Sequence, residues 1–83
     1  MKTYAITVTS ECISAVNNSQ YNCDKIEGQN ELKAETARAA IEKEIRGYRL
    51  AGNVEWFDDA SCVVTVDLED GNQKHFFFDA AEI

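Results

Sequence analysis

The chain has 83 residues, 45% of them hydrophobic, and its 15 acidic and eight basic side chains give a formal net charge of −7. A chain of this length forms a single domain, here residues 1–83, whose small core leaves little room for a deep catalytic cleft. No apolar leader follows Met1, and no apolar run is long enough to cross a membrane. We therefore expect a cytoplasmic protein with no membrane contact.

The three cysteines, Cys12, Cys23 and Cys62, are odd in number and widely spaced. Disulfide-stapled domains carry even numbers of cysteines, and zinc sites usually bring two cysteines within a few residues of each other. The spacing therefore predicts three reduced thiols and no metal site. A bridge between Cys12 and Cys23 is the one alternative that the sequence leaves open.

The first predicted element is a half-buried strand from Thr3 to Thr9, in which apolar residues alternate with threonine and alanine. Residues 10–28 have a weaker pattern with two interpretations. Either Ser10 caps a short helix that ends at Val16, or the strand continues to Val16 and turns at residues 17–20. The second interpretation adds a strand at residues 21–27, and we favour this hairpin.

A helix is predicted from Glu31 to Tyr48, because this segment is rich in Ala, Glu, Lys, Arg and Ile. Asn30 or Thr36 can cap its first turn, and Gly47 and Gly52 are both candidate stops. Apolar residues recur at steps of three and four and give the helix one apolar face. They are Ala34, Ala37, Ile41, Ile45 and Tyr48.

After Gly52 the apolar period changes from 3.6 residues to two, which predicts a three-stranded antiparallel meander with turns at residues 58–61 and 69–72. Together the elements predict an α+β fold. It consists of an antiparallel β-sheet of four to five strands with one amphipathic helix packed on one face.

The register of the last hairpin depends on its turn. A three-residue turn with a left-handed Gly71 sets Val64 opposite Phe76 and buries two phenylalanines, whereas a two-residue turn buries only one. Because each buried phenylalanine contributes roughly 1.5–3 kcal/mol, we favour the three-residue turn. Phe77 and Val63 then face away from the core, either under a second layer or on a contact surface.

The sequence offers no catalytic constellation. His75 is the only histidine, and its place in a predicted strand supports no serine–histidine–aspartate arrangement. The four glycines stand alone rather than in a phosphate-binding loop. Adjacent carboxylates such as Asp58 and Asp59 lie in predicted turns, where side chains point into water. We expect a protein that is not an enzyme and that uses no cofactor.

The negative charge is concentrated near the C-terminus. Residues 1–51 contain seven basic and seven acidic side chains, whereas residues 52–83 contain one basic and eight acidic ones. A surface rich in these acids would repel phosphate groups, which argues against direct nucleic-acid binding. The same surface would attract basic protein surfaces. We therefore predict a binding site for a basic protein partner, built from acidic and aromatic side chains. They are Glu55, Trp56, Asp58, Asp59, Asp67, Glu69, Asp70 and Phe77.

The segment from Glu31 to Lys43 leads through an amphipathic helix to Gly52, and a strand with Val54-Glu55-Trp56 and a terminal hairpin close the chain. In this layout and in size, residues 31–83 resemble small phage-encoded anti-CRISPR proteins. Anti-CRISPR proteins share no signature motif, so the resemblance carries over no individual residue. It implies an inhibitor in the host cytoplasm that docks on a basic surface of a CRISPR effector and blocks access of nucleic acid.

Two other functions are compatible with the same sequence. An antitoxin or immunity-like protein that neutralises a toxic nuclease would use the same acidic surface. A self-associating structural subunit would instead use Phe77 and Val63 as a homodimer contact. The mass of the protein in dilute solution separates this last function from the two inhibitors.

Overall fold

Five strands in one antiparallel sheet and a single helix make up the structure. The computed structural model describes residues 1–83, and its elements are β1 (Lys2–Ile13), β2 (Gln20–Ala34), α1 (Ala37–Tyr48), β3 (Asn53–Asp58), β4 (Ser61–Asp67) and β5 (Gln73–Glu82). The strands lie in the order β2-β1-β5-β4-β3, and every neighbouring pair is antiparallel. The predicted α+β fold is confirmed.

The core lies between the helix and one face of the sheet, which we call the inner face. β1 alternates between buried and half-buried residues along its length, so it presents one apolar face to the helix. The core cluster joins this face to β2, β4, β5 and α1. Its members are Tyr4, Ile6, Val8, Ala34, Ala40, Ile41, Cys62, Val64, Phe76 and Phe78.

The first two strands form the hairpin that the sequence predicted. β1 ends at Ile13, and the turn is closed by the Ser14 N–H, which donates to the Ser19 carbonyl at 2.9 Å. The turn therefore covers residues 14–19 rather than 17–20, and no short helix follows Ser10. β2 starts at Gln20, close to the predicted start, but it is 15 residues long and continues to Ala34.

The helix begins later than predicted, so the expected start at Glu31 is wrong. Residues 31–34 continue β2, where Leu32 pairs with Tyr4 and Ala34 pairs with Lys2. These residues form a strand because β1 supplies main-chain partners for them and because Leu32 and Ala34 both reach the core. Both effects together override their helix propensity.

Thr36, one of the two predicted N-caps, caps α1: its hydroxyl oxygen accepts a hydrogen bond from the Ala39 N–H at 3.1 Å. At the other end neither Gly47 nor Gly52 stops the helix. Arg49 adopts a left-handed conformation (φ 56°) and its N–H donates to the Arg46 carbonyl. The single helix is too short and too polar to cross a membrane.

The favoured register of the last hairpin is confirmed. Val64 lies opposite Phe76 and Cys62 lies opposite Phe78, so both phenylalanines face the core. Gly71 has a φ of +87°, and its N–H donates to the Leu68 carbonyl at 3.0 Å, as a three-residue turn requires. The left-handed glycine thus selects the register that buries two aromatic rings.

A second glycine lets the helix approach the sheet. A Cβ at Gly28 in β2 would collide with the hydroxyl of Tyr48, the last residue of α1. The Tyr48 ring also contacts Phe78 edge to face, with 5.8 Å between the centroids and 86° between the planes. Gly28 therefore leaves the space in which Tyr48 closes the end of the core.

The helix covers only part of the inner face. Its 12 residues span about 18 Å, whereas the molecule is 45 Å long. Beyond the helix, Glu27 accepts hydrogen bonds from the Ser10 hydroxyl at 2.7 Å and pairs with Lys74 at 2.8 Å. Lys74 also lies 4.8 Å from the Phe76 ring centroid. Paired polar groups thus complete the inner face where apolar cover ends.

Candidate functional site

The opposite face of the sheet, which we call the outer face, has no helix or strand over it. One row of residues crosses all five strands there: Ile26, Thr9, Phe77, Val63 and Glu55. Phe77 and Val63 face away from the core, as predicted from the sequence. Val63 is only 7% exposed because its neighbours enclose it, whereas Ile26 is 63% exposed. The row therefore gives the outer face an apolar centre.

Five carboxylates surround this centre, and we call them the outer-face acids. The strand register brings them to one side of the sheet from five different strands. They are Glu11, Glu31, Glu55, Asp67 and Asp79. The only lysine or arginine that the register places on this face is Lys33, opposite Thr3 at the far end of β1. Asp58, at the end of β3, pairs in register with Ser61 and through it with Asp79, so it also lies on this side. Six acids against one base give the face a formal charge of −5.

All four ion pairs of the molecule lie on the inner side of the sheet or on the helix. They are Lys2–Glu82, Lys25–Glu27, Arg38–Glu42 and Lys74–Glu27, with N–O distances of 2.8–3.8 Å. None of the outer-face acids takes part in an ion pair, and only Asp67 accepts a side-chain hydrogen bond, from Gln73 at 3.1 Å. The protein is therefore electrically two-sided, with its bases gathered on the side of the helix.

Glu11 is the most confined of the outer-face acids. Its Oε2 atom is buried without a hydrogen-bond partner. Residues 22–24 of β2 bulge opposite it, and Asn22 and Asp24 there are left-handed, with φ of 51° and 57°. His75 is its partner in register on β5, but the two do not form an ion pair. The fold leaves this oxygen without a hydrogen bond, which costs about 1–3 kcal/mol.

Four of the eight predicted site residues lie on the outer face: Glu55, Asp58, Asp67 and Phe77. The turn acids are divided between the two ends of β4, with Asp58–Asp59 at one end and Glu69–Asp70 at the other. The seven residues of β4 separate these turns by about 23 Å. The structure therefore does not bring the predicted residues together in one patch.

The turn acids also shape their own turns. Asp58 accepts hydrogen bonds from the Ala60 N–H at 2.8 Å and from the Ser61 hydroxyl at 2.9 Å, and these donors lower the pKa of its carboxyl. Asp70 accepts a hydrogen bond from the Asn72 N–H at 3.0 Å. Part of the acidity of residues 52–83 is thus explained by turn formation rather than by binding.

Trp56, the eighth predicted residue, lies on the inner side of β3, opposite Cys62. The Arg38 guanidinium stacks over its ring, 4.3 Å from the centroid. Next to it, an open groove of about 230 Å³ runs between α1 and β3 and is lined by Glu42, Ile45, Arg46, Val54 and Trp56. Trp56 therefore belongs to a different surface from Phe77.

Sequence analysis missed Glu11, Glu31 and Asp79. Asp79 follows Phe77 by two residues in the same strand, so alternation alone would have placed it on the outer face. Glu11 falls within the strand to Val16 that the favoured hairpin predicts, so alternation would have placed it on this face as well. Glu31 falls within the predicted helix, which hides its position on β2.

No group of three or more His, Cys, Asp or Glu side chains converges in the structure. The three cysteines are free thiols. Cys62 is buried, and burial, followed by the negative charge of Asp79, raises the pKa of its thiol to about 11.

No protein-family model matches the chain, and no curated protein or solved structure is significantly similar to it.

Proposed function

We propose that this protein is a non-catalytic binding protein whose outer face docks on a basic surface of another protein. The observation that carries the proposal is the set of outer-face acids, five carboxylates that no base within the molecule neutralises. Unpaired carboxylates on one face attract a cationic partner and increase the rate of encounter.

The apolar centre of the outer face supplies apolar area that is buried on binding, which charge alone does not provide. Strand spacing places Glu11, Glu55 and Asp79 about 7–10 Å from Phe77. Interfaces often combine an aromatic anchor that is desolvated on binding with a charged rim that remains near water. Phe77 and Val63 would therefore contribute affinity, while the carboxylates would contribute orientation and selectivity.

A surface that binds nucleic acid is the kind of basic partner that fits best. Such surfaces carry lysine and arginine arrays for phosphate groups, and an acidic protein seated there blocks nucleic acid without binding it. On this basis, and on the resemblance in layout to anti-CRISPR proteins, we propose inhibition of a CRISPR effector in the host cytoplasm.

The test compares two triple variants with the same change in net charge. E11Q/E55Q/D79N removes outer-face acids, and E35Q/E42Q/E44Q removes acids near or on the helix. Binding to immobilised, guide-loaded CRISPR effectors is measured at 50 and 300 mM NaCl, together with effector binding to target DNA. We expect the first variant to lose about tenfold in affinity at low salt and less at high salt.

The control variant should stay within about twofold of the original protein. Equal losses in both variants, or a loss that salt does not reduce, would contradict docking through the outer face. If no effector binds, binding of the same two variants to basic toxic nucleases tests the antitoxin alternative. A loss of nuclease binding in E11Q/E55Q/D79N alone would support that alternative.

Self-association through the outer face has one observation in its favour, the apolar contact of Val63 with Phe77 in register. Two copies stacked face to face would, however, bring twelve carboxylates into one interface, and like charges in contact oppose pairing. A monomer mass in dilute solution is the expected result.

A further inference from the structure

A second surface lies at the edge of the sheet formed by β3. The other edge, β2, is broken by two irregularities in register and carries Lys25 and Lys33, features that prevent strands from adding to an edge. β3 has one irregularity in register, between Trp56 and Asp58, but its residues 53–56 pair regularly with β4 and include neither lysine nor proline. Val54 and Phe57 of this strand are exposed, at 43% and 59%. Its outward main-chain N–H and C=O groups have no neighbouring strand.

The groove between α1 and β3 runs beside this edge. Ile45, Val54 and Trp56 form its apolar lining, and Glu42 and Arg46 are its charged members. A strand added to β3 would alternate its side chains between this groove and the outer face. Every second side chain would therefore meet apolar surface, and the others would lie beside Glu55.

Charge decides which strand fits. β3 and the turn that follows it carry Glu55, Asp58 and Asp59 and no base. An edge-to-edge pair with a second copy of this chain would set these acids against their own counterparts, which is unfavourable. A strand with lysine or arginine on its outer side meets them with opposite charge.

We propose that the β3 edge accepts an extended basic segment of the partner protein as a sixth strand. Apolar side chains of this segment enter the groove at Val54 and Trp56, and its basic side chains lie over Glu55. The proposal rests on the proposed function in one respect, the basic nature of the partner, and it adds how that partner is held.

The test uses a synthetic peptide, acetyl-Ser-Lys-Val-Lys-Val-Lys-Val-Ser-amide, with a control peptide of the same composition in the order Ser-Lys-Lys-Lys-Val-Val-Val-Ser. Binding is followed by amide shifts in ¹⁵N NMR spectra and by the fluorescence of Trp56, the only tryptophan. We expect shifts at residues 53–58 and at the Trp56 indole, with at least fivefold tighter binding of the alternating peptide. N-methylation of alternate peptide amides should abolish this preference, because it removes main-chain hydrogen bonds.

Two protein variants separate this proposal from the proposed function. V54K protects the edge and should lose the alternating peptide, whereas E11Q/D79N should bind it within about twofold of the original protein. Equal binding of the two peptides, shifts confined to the outer face of β1 and β5, or retained binding by the N-methylated peptide would overturn the proposal. Concentration-dependent dimers that V54K abolishes would also overturn it, since they assign the edge to a second copy.

Loss of effector binding in E11Q/D79N, with peptide binding intact, supports both surfaces. A second pattern is possible, in which E11Q/D79N still binds the effector and V54K no longer binds the peptide. This result rejects docking through the outer face and leaves the β3 edge as the binding surface.

Discussion

Replacement of Asp79 by asparagine should stabilise the protein, and more so at low salt. Asp79 is in β5 on the outer face, accepts no side-chain hydrogen bond and forms no ion pair. Asparagine is nearly the same size, so the substitution removes a charge and little else. What remains is relief of its repulsion by the other outer-face acids.

The size of the effect follows from the strand register. Asp58 lies directly two strands across from Asp79, about 10 Å away. Glu31 and Glu55 each lie two strands across and two residues along, which places them about 12 Å away, and Glu11 is about 14 Å away. In water each pair repels by about 0.3–0.4 kcal/mol before screening. Screening leaves a sum of about 0.9 kcal/mol at 10 mM salt and about 0.3 kcal/mol at 150 mM.

Urea unfolding of D79N and the original protein at both salt concentrations measures this difference, and a thermal midpoint raised by about 4–7 °C at low salt is the equivalent observation. E42Q is the matched control, because Glu42 pairs with Arg38 at 3.6 Å and its loss should be neutral or slightly destabilising. If D79N is no more stable than the original protein at 10 mM salt, the outer-face acids do not repel one another as the register implies.

Three further outcomes are expected. Hydrogen bonds lower the pKa of Glu27 from its ordinary 4.5, so its stabilising effect is present above that value and is lost as the pH falls through the folded pKa. E27Q should therefore cost about 1–2 kcal/mol near pH 7 and less in acid, measured by urea unfolding. G28A should lower the free energy of unfolding by about 1–3 kcal/mol, measured by thermal unfolding, because its Cβ collides with the Tyr48 hydroxyl. The double variant G28A/Y48F, which lacks this hydroxyl, should recover part of the loss. Exposed Cys23 should react with Ellman's reagent at once, whereas Cys62 reacts only on unfolding.

Those parts of the fold that depend on residues close together in the sequence were predictable. The last hairpin is the clearest case, because the left-handed Gly71 and the burial of Phe76 and Phe78 both select one register. Thr36 as N-cap is a second case, since its hydroxyl needs only the first turn of the helix.

The start of the helix could not be predicted in the same way. Residues 31–34 suit a helix by composition, and only the pairing of Leu32 with Tyr4 and of Ala34 with Lys2 turns them into strand. Those partners lie about thirty residues away along the chain. Local propensity is too weak to decide against such contacts.

The candidate site was harder still, because it is assembled from all five strands. Glu11, Glu55 and Asp79 are far apart in sequence and become neighbours only through the order β2-β1-β5-β4-β3. The sequence drew attention instead to adjacent acids such as Asp58 and Asp59, which lie at a turn and, for Asp58, hold it together. Charge counted along the chain thus predicts an excess of acids, but not the face of the sheet on which the strands gather them.

Solubility and recognition make different demands on this charge, and one variant separates them. D79N/N17D moves a carboxylate from the outer face to the exposed turn after β1, so the net charge stays at −7. If the acids serve only solubility, the double variant should behave like the original protein in every assay, because solubility follows net charge. If they form a docking surface, it should remain as soluble while its affinity for the basic partner falls as far as that of D79N. Equal affinity of D79N/N17D and the original protein would remove the reason to assign a function to the outer face.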